Sequence, residues 1–468
     1  MNPGAETRTG SGMRYYENIL AVVGNTPLVR LNQTATGVKP LILAKLESFN
    51  PGRSNKDRVG MFLVEMAERD GSLKPGGTIV EATSGNTGLG LAMAALVKGY
   101  KCICVMPDKI GSEKRDLLKA HGAKVVITPT SAPPGSPDRY TEVAKRLASE
   151  IPGGFLANQY FNPNNPEIHY RTTGPEIWRD TAGRVTCYVA GVGTGGSLSG
   201  VGRYLKEQNP NIRIVGAEPQ GSILGEYQKT GQLAESQSYL VEGIGQEIIP
   251  GNVQFEYIDE ILTVTDRDSF RYMRQLSREE AIFVGGSSGT AVAAAVQAAG
   301  SLTEEDVVVV MLPDTGERYL SKFHSDAWLA DHGMLAADDL KVGDLVRQKA
   351  AASELPNLLS VRPADPVRLA LGLIRRHNVS QLPVVADNGA VVGTVMESSL
   401  MTAMLDGRAM LESPASSVME AKLPSIAADE SISAAARALA HGHALLVEDR
   451  GRTVGILSRI DLIGYVAK

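Results

Sequence analysis

Leu41-Ile42-Leu43-Ala44-Lys45-Leu46, then Asn50-Pro51-Gly52-Arg53-Ser54-Asn55-Lys56-Asp57-Arg58 and an apolar-periodic run to Arg69, is the passage that decides the fold. The first six residues read as a strand, Pro51-Gly52 as a turn and Asp57 to Arg69 as a helix, so Lys56 sits on a βα loop. Loops of that kind are where α/β enzymes place their chemistry. A lysine alone says little, since about nine in ten are solvated surface charges. Lys56 gains its weight from three Gly/Ser loops further along the chain.

Outward from this passage, short β-branched runs alternate with helical patterns from about Tyr16 to Leu320. Thr78 to Ala82, Lys101 to Met106, Lys124 to Thr128, Val185 to Ala190, Ile212 to Ala217 and Asp306 to Leu312 read as strands. Continuous apolar runs suit strands covered on both faces, as in a mostly parallel sheet, and the expected fold class is α/β. Ser131-Ala132-Pro133-Pro134-Gly135-Ser136-Pro137 reads as an exposed loop.

The 468 residues exceed what one core holds and predict two or three domains. The division expected is a flexible leader over 1–14, a catalytic domain over 15–325, a linker over 326–337, and two small repeats over 338–404 and 412–468. A net charge of -5, with 43% hydrophobic and 21% charged residues, gives no attraction to nucleic acid or an anionic membrane and favours small-molecule partners. No apolar run reaches membrane-spanning length and the leader lacks the apolar stretch of a signal peptide, which points to the cytoplasm. Cys102, Cys104 and Cys187 are too few for a disulfide framework. No metal-ligand spacing occurs: Cys102 and Cys104 share one strand face and are expected to fill core, and His121 to complement a helix end.

The repeat beyond Asp331 has a period of roughly sixty residues. Its first copy runs Val342-Gly343-Asp344-Leu345-Val346, a helix near Val367 to Arg376, Leu382-Pro383-Val384-Val385 and Val391 to Val395. The second runs Ser417-Val418-Met419, a helix near Ile432 to Ala440, Ala444 to Val447 and Val454 to Leu457. Each copy alone would expose an apolar sheet face, so the two are expected to pack together.

Glu81-Ala82-Thr83-Ser84-Gly85-Asn86-Thr87-Gly88 joins a strand to the helix Leu89 to Lys98, where amides and hydroxyls can converge on an anion such as a substrate carboxylate. For any one such loop, helix capping is the commoner explanation. Val189-Ala190-Gly191-Val192-Gly193-Thr194-Gly195-Gly196-Ser197 again joins strand to helix, and its glycines allow amides to approach a phosphate. It also spells G-x-G-x-x-G from Gly191 to Gly196, with Glu218 ending the next strand, so a nicotinamide-dependent oxidoreductase is the rival from another class; that reading leaves Lys56 without a role. Val284-Gly285-Gly286-Ser287-Ser288-Gly289-Thr290 precedes the helix Ala291 to Ala299 and can set a hydroxyl against a cofactor edge, although capping accounts for it equally well.

In this order the four loops resemble the β-family (fold type II) of pyridoxal-phosphate enzymes, in the branch that holds cystathionine β-synthases and cysteine synthases; the resemblance covers about residues 15 to 325. It implies a two-lobed catalytic core with mostly parallel sheets and pyridoxal 5'-phosphate bonded to Lys56. It further implies Asn86 at the pyridine 3-oxygen, Gly193, Thr194, Gly195, Gly196 and Ser197 around the phosphate, and Ser287 at the pyridine nitrogen. Thr83, Ser84, Gly85 and Thr87 would hold the amino-acid carboxylate, beside Gln159 and Tyr160. A tyrosine at 160, where cysteine synthases usually have Phe, favours serine with homocysteine over O-acetylserine (or serine) with sulfide. Pro313 to Leu320 is closer to the cysteine synthases, Gln246 stands where animal β-synthases carry Tyr, and Asn55 replaces the usual Val. The leader has neither Cys nor His, so no haem is expected.

The repeat resembles a tandem CBS-domain pair (Bateman module). That likeness implies one adenosine-type site at Ser458 and Asp461 of Ser458-Arg459-Ile460-Asp461, with S-adenosylmethionine as the ligand; the first copy offers Met396 and Ser399 instead. A ligand-free pair that only governs assembly is the alternative. A homodimer or homotetramer is expected by resemblance.

Overall fold

A computed structural model describes residues 7–8, 14–133, 135–335, 341–351, 358–440 and 442–466. The chain divides into two compact units, Met1–Ser325 and Asp326–Lys468. Within the leader, Thr7–Arg8 pairs antiparallel with Arg14–Tyr15, where a segment without structure was expected. The rest of residues 1–13, Pro134 of the expected loop and 336–337 of the expected linker lie outside the described residues.

The first unit is built on two sheets. The larger has the order Glu260–Val264, Arg213–Pro219, Cys187–Gly191, Val307–Leu312, Leu41–Leu46, Leu28–Arg30, with only the last pair antiparallel. The smaller is wholly parallel, in the order Lys124–Thr128, Lys101–Pro107, Thr78–Ala82, Gly154–Leu156. Every strand expected from the sequence is present, with ends displaced by a residue or two. Leu28–Arg30 and Gly154–Leu156 were not foreseen because three residues are too few to show a period. Thr78–Ala82 and Val307–Leu312 are buried along their whole length, as strands covered on both faces must be.

The helix Lys56–Asp70 crosses the helix Asn86–Lys98 backbone against backbone. A methyl on Gly60 would stand 2.3 Å from the carbonyl carbon of Gly90, and one on Gly90 2.4 Å from the carbonyl oxygen of Lys56. The start of the lysine helix is thereby held against the helix that follows the Thr83–Thr87 loop.

In the second unit each copy is completed by the opening segment of the other. The helix Val342–Ala351, expected to open the first copy, bonds to the second: Val342 N–H donates to Glu430 O at 2.9 Å and Gly343 N–H to Ala428 O at 2.8 Å. In return Ala415 N–H donates to Asp365 O at 2.7 Å, and Thr394 bridges Glu420. The hairpins Gln381–Val385 with Val391–Met396 and Ala444–Asp449 with Arg452–Ser458 are the matching sheets.

Candidate active site

Lys56 begins its helix straight after a tight turn. Arg53 adopts φ +63°, Gly52 N–H donates to Asp57 Oδ2 at 2.5 Å, and Lys56 N–H donates to Ser54 Oγ at 3.2 Å. Asn55 N–H reaches Pro313 O at 2.9 Å and Ser54 bridges Asp314, so the turn is pinned to the end of the central strand Val307–Leu312. The Lys56 ammonium donates to Asn55 Oδ1 at 3.2 Å, a contact the usual Val could not offer. Burial lowers the Lys56 amine to about 8, partly opposed by the Asp314 and Glu47 carboxylates.

Behind the turn lies a buried ion cluster that sequence reasoning missed. Arg58 binds Glu47 at 2.8 Å and Glu176 at 2.6 Å, and Lys45 binds Glu176 at 2.9 Å. Burial pushes Glu176 up, but Arg58 and Lys45 more than offset it and hold the carboxyl at about 2.

A chain of side chains joins the loops. Asn86 Nδ2 donates to Asp314 Oδ2 at 2.8 Å, while its amide oxygen accepts from Arg318. The Tyr319 hydroxyl donates to the same Asp314 oxygen at 2.6 Å. Thr315 bridges Val284, which brings in the Gly285–Gly289 loop, where Ser287 is 3% exposed and the Ser288 hydroxyl is buried with no hydrogen-bond partner among the described residues. Thr87 donates to Gln159 Oε1 at 2.5 Å. Asn165 Nδ2 bonds both the Gln159 carbonyl, at 2.8 Å, and Thr194 Oγ1, at 2.9 Å, so the fourth loop belongs to the same constellation. The sequence reading thus placed residues on all four loops, and the fold ties those loops together. Asp314, Arg318 and Asn165, which do the tying, carry no local signal; the Pro313 to Leu320 run was visible only by resemblance.

The hydroxyls differ in what remains open. Thr83 Oγ1 accepts the amides of Gly85, at 3.0 Å, and Gly88, at 3.3 Å, and is buried, whereas Ser84 and Asn86 are half-buried. The Gly193–Ser197 loop is a cradle that side chains would fill. A methyl on Gly193 would lie 2.5 Å from Gly243 O, one on Gly195 (φ +88°) 2.7 Å from Val253 N, and one on Gly196 2.0 Å from Asn165 Oδ1. This concave run opens the helix Gly196–Gln208, a ready anion site. A partly neutral lysine, a glycine cradle that opens a helix N-terminus and a buried serine fit pyridoxal phosphate.

Glu218, the acid the dinucleotide reading needed, is spent elsewhere. Its oxygens accept the amides of Leu224, at 3.1 Å, and Gly225, at 2.9 Å, capping a helix. Tyr160 follows Gln159, its hydroxyl 3.4 Å from that of Tyr140. Burial, then the Tyr140 hydroxyl and the Glu81 carboxyl, push its phenol well above the ordinary range, with a Gln246 hydrogen bond in opposition. Cys102 and Cys104 are buried with sulfurs 3.9 Å apart, and His121 Nδ1 lies 3.0 Å from Leu117 O at its helix end. Among the described residues no cluster of three or more His, Cys, Asp and Glu forms a metal site, and no helix is long and apolar enough to cross a membrane.

In the second unit Ser458 and Asp461 bind each other. Ser458 N–H and Oγ donate to Asp461 Oδ2 at 2.8 and 2.6 Å, and Lys349 pairs with the same oxygen at 2.9 Å. In the first copy Ser399 donates to Glu420.

Residues 19–314 match the family of pyridoxal-phosphate dependent enzymes, and 352–406 and 415–468 match the CBS domain. The cystathionine beta-synthase of Oryctolagus cuniculus is 39% identical over 96% of this chain and 85% of its own length. The cysteine synthase of Staphylococcus aureus is 43% identical over 65% of this chain and 96% of its own. Among solved structures, the O-acetylserine dependent cystathionine beta-synthase from Helicobacter pylori superposes with a TM-score of 0.62 at 38% identity, covering 66% of this chain and 99% of that one. A lysine turn, a glycine cradle and their linking side chains, matched over this length, mean that the chain belongs to the pyridoxal-phosphate dependent enzymes, as a lyase of cystathionine β-synthase type carrying a CBS pair.

Proposed function

We propose that this chain replaces the β-hydroxyl of L-serine with the thiol of L-homocysteine to give cystathionine. When bound, pyridoxal phosphate supplies the electron sink that makes the substrate Cα proton acidic and the β-substituent expellable. Lys56 would hold the aldehyde carbon of the cofactor, and its amine, once free, is the base placed to take the substrate Cα proton. With its amine at about 8, about a quarter is neutral at pH 7.5, against roughly one part in a thousand for an ordinary lysine. Asn86, the Gly193–Ser197 cradle and Ser287 position the ring and phosphate, and Thr83, Ser84, Gly85 and Thr87 receive the substrate carboxylate.

Tyr160 carries the choice of substrate. Hydroxide is a poor leaving group and needs a proton, whereas acetate does not. The Tyr160 phenol is protonated at neutral pH and can donate; burial, which pushes its ionisation further up, makes it a weaker acid, so the proton passes only as the Cβ–O bond breaks and the oxygen turns basic. Steady-state turnover of serine plus homocysteine against O-acetylserine plus sulfide is the test, with the first pair expected to prevail; a strong preference for the second would assign cysteine synthase activity instead.

The CBS pair is the proposed site of an adenosine-type ligand, S-adenosylmethionine, at Ser458 and Asp461. Since Asp461 already holds Ser458 and Lys349, a ligand ribose must displace the lysine to use both carboxylate oxygens fully. Saturating S-adenosylmethionine is expected to raise the melting temperature of the full chain, because a ligand of the folded form stabilises it; no shift would leave the pair as an assembly element. Cytoplasmic action as a homodimer or homotetramer completes the reading.

A further inference from the structure

Glu81 lies in the buried strand Thr78–Ala82, two residues before Thr83, and is 1% exposed. One carboxyl oxygen accepts the Gln159 amide at 3.3 Å. The other is shut off from solvent and has no hydrogen-bond partner among the described residues. A carboxyl kept in that state is costly, and nothing in the sheet's own hydrogen bonding requires one there.

What Glu81 touches is the turn that presents Gln159 and Tyr160. Asn158 makes the turn with φ +53°. Gln159 then spends each of its polar groups: its side-chain amide donates to Ala82 O at 3.1 Å and its amide oxygen accepts from Thr87 at 2.5 Å. Its carbonyl accepts from Asn165 and Asn252, each at 2.8 Å. The Gln159 N–H has Glu81 as its acceptor, and the next residue is Tyr160. Burial raises the Glu81 carboxyl to about 8, so at neutral pH it is mostly the neutral acid. The groups facing it are Cys104 on the adjacent strand, the Asn158–Gln159 turn and Tyr160, with no cation among them.

We propose that Glu81 is a positioning residue for loss of the serine hydroxyl: through the Gln159 amide it fixes the direction of the Tyr160 hydroxyl that protonates the departing oxygen. In that step the Cβ–O bond breaks and its electron pair leaves with oxygen. The oxygen takes the Tyr160 proton and departs as water, while the electrons of the Cα–H bond, whose proton is on Lys56, form the Cα–Cβ double bond. The incoming thiol returns a proton to the Tyr160 phenolate and adds as thiolate to Cβ; the Cα–Cβ double bond opens and Cα takes back the proton held on Lys56. This inference rests on the reading of Tyr160 given above.

The test measures turnover of serine and of O-acetylserine in the holoenzyme for wild type, Glu81→Ala, Glu81→Gln, Tyr160→Phe and the Glu81→Ala/Tyr160→Phe double variant. Glu81→Ala is expected to lower kcat with serine about tenfold and with O-acetylserine less than about twofold, normal turnover of the latter showing a folded, loaded site. Glu81→Gln, which keeps a neutral acceptor, is expected to restore serine turnover to within about threefold of wild type, and the double variant to be no slower than Tyr160→Phe alone. Equal losses with both substrates, or multiplying effects of the two substitutions, would overturn the role of Glu81. If Tyr160→Phe itself slows both substrates equally, the assignment of Tyr160 fails first and takes this one with it.

Discussion

Burial of the Lys56 amine disfavours its charged form, and the folded protein bears that cost below pH 8. The folded value, about 8, lies under the ordinary 10.5, so between these values the unfolded chain binds more protons and stability rises with pH. Cofactor-free Lys56→Ala is therefore expected to have a higher denaturation midpoint than cofactor-free wild type at pH 7, with the gap closing as pH approaches 10.5. The same substitution is expected to abolish the visible absorbance band of the bound cofactor and to cut turnover by a factor on the order of a thousand or more. An unchanged band would show that another amine holds the cofactor. The loops that carry Lys56, Asn86 and Ser287 were legible because each is an unbroken run of turn-forming residues. Asn165, Asn252 and Glu81 were not, since a single polar residue has no pattern until the fold shows what it faces.

At the scale of elements, the Lys56 turn is held from behind by four charges on three segments. Lys45 and Glu47 flank the end of the strand Leu41–Leu46, Arg58 is in the first turn of the lysine helix, and Glu176 comes from the helix Thr173–Asp180. Arg58 and Lys45 are 1% and 0% exposed at the side chain, so Glu176→Ala leaves two buried cations short of one partner. The expected loss is about 3–5 kcal/mol in urea unfolding, far above the effect of removing a surface pair. A loss under about 1 kcal/mol would mean that water reaches the cluster. The Gly60–Gly90 crossing has the same consequence for function: it leaves no room for the lysine helix to slide away from the Asn86 helix.

On the scale of the whole molecule, the two units differ in how self-sufficient their parts are. The first contains both sheets and every candidate active-site residue. A chain ending at Ser325 is expected to fold, bind the cofactor and turn over, as read by its visible band and kcat. The two CBS copies are not separable in this way, because Val342 and Ala415, both fully buried, lie in the exchanged opening segments. A chain ending at Met410 is expected to keep a protease-resistant first unit while residues after Ser325 become susceptible to cleavage. Resistance of that remnant would show that one copy folds alone.

The α/β alternation, the four loops and their order, and the doubled C-terminal repeat are properties of contiguous residues. Strand period, turn geometry and helix capping act over a few positions, so sequence alone determined them. The tertiary structure decided which residues, more than a hundred positions apart, close on one another: Asp314 on Asn86, Glu176 on Arg58, and Lys349 on Asp461. It also decided that Glu218 and Asp461 have carboxylates already committed to backbone or side-chain donors. A carboxylate has the same sequence signature whether it caps a helix or meets a ligand. Only the positions of its donors, fixed by strand register and helix packing, tell the two apart.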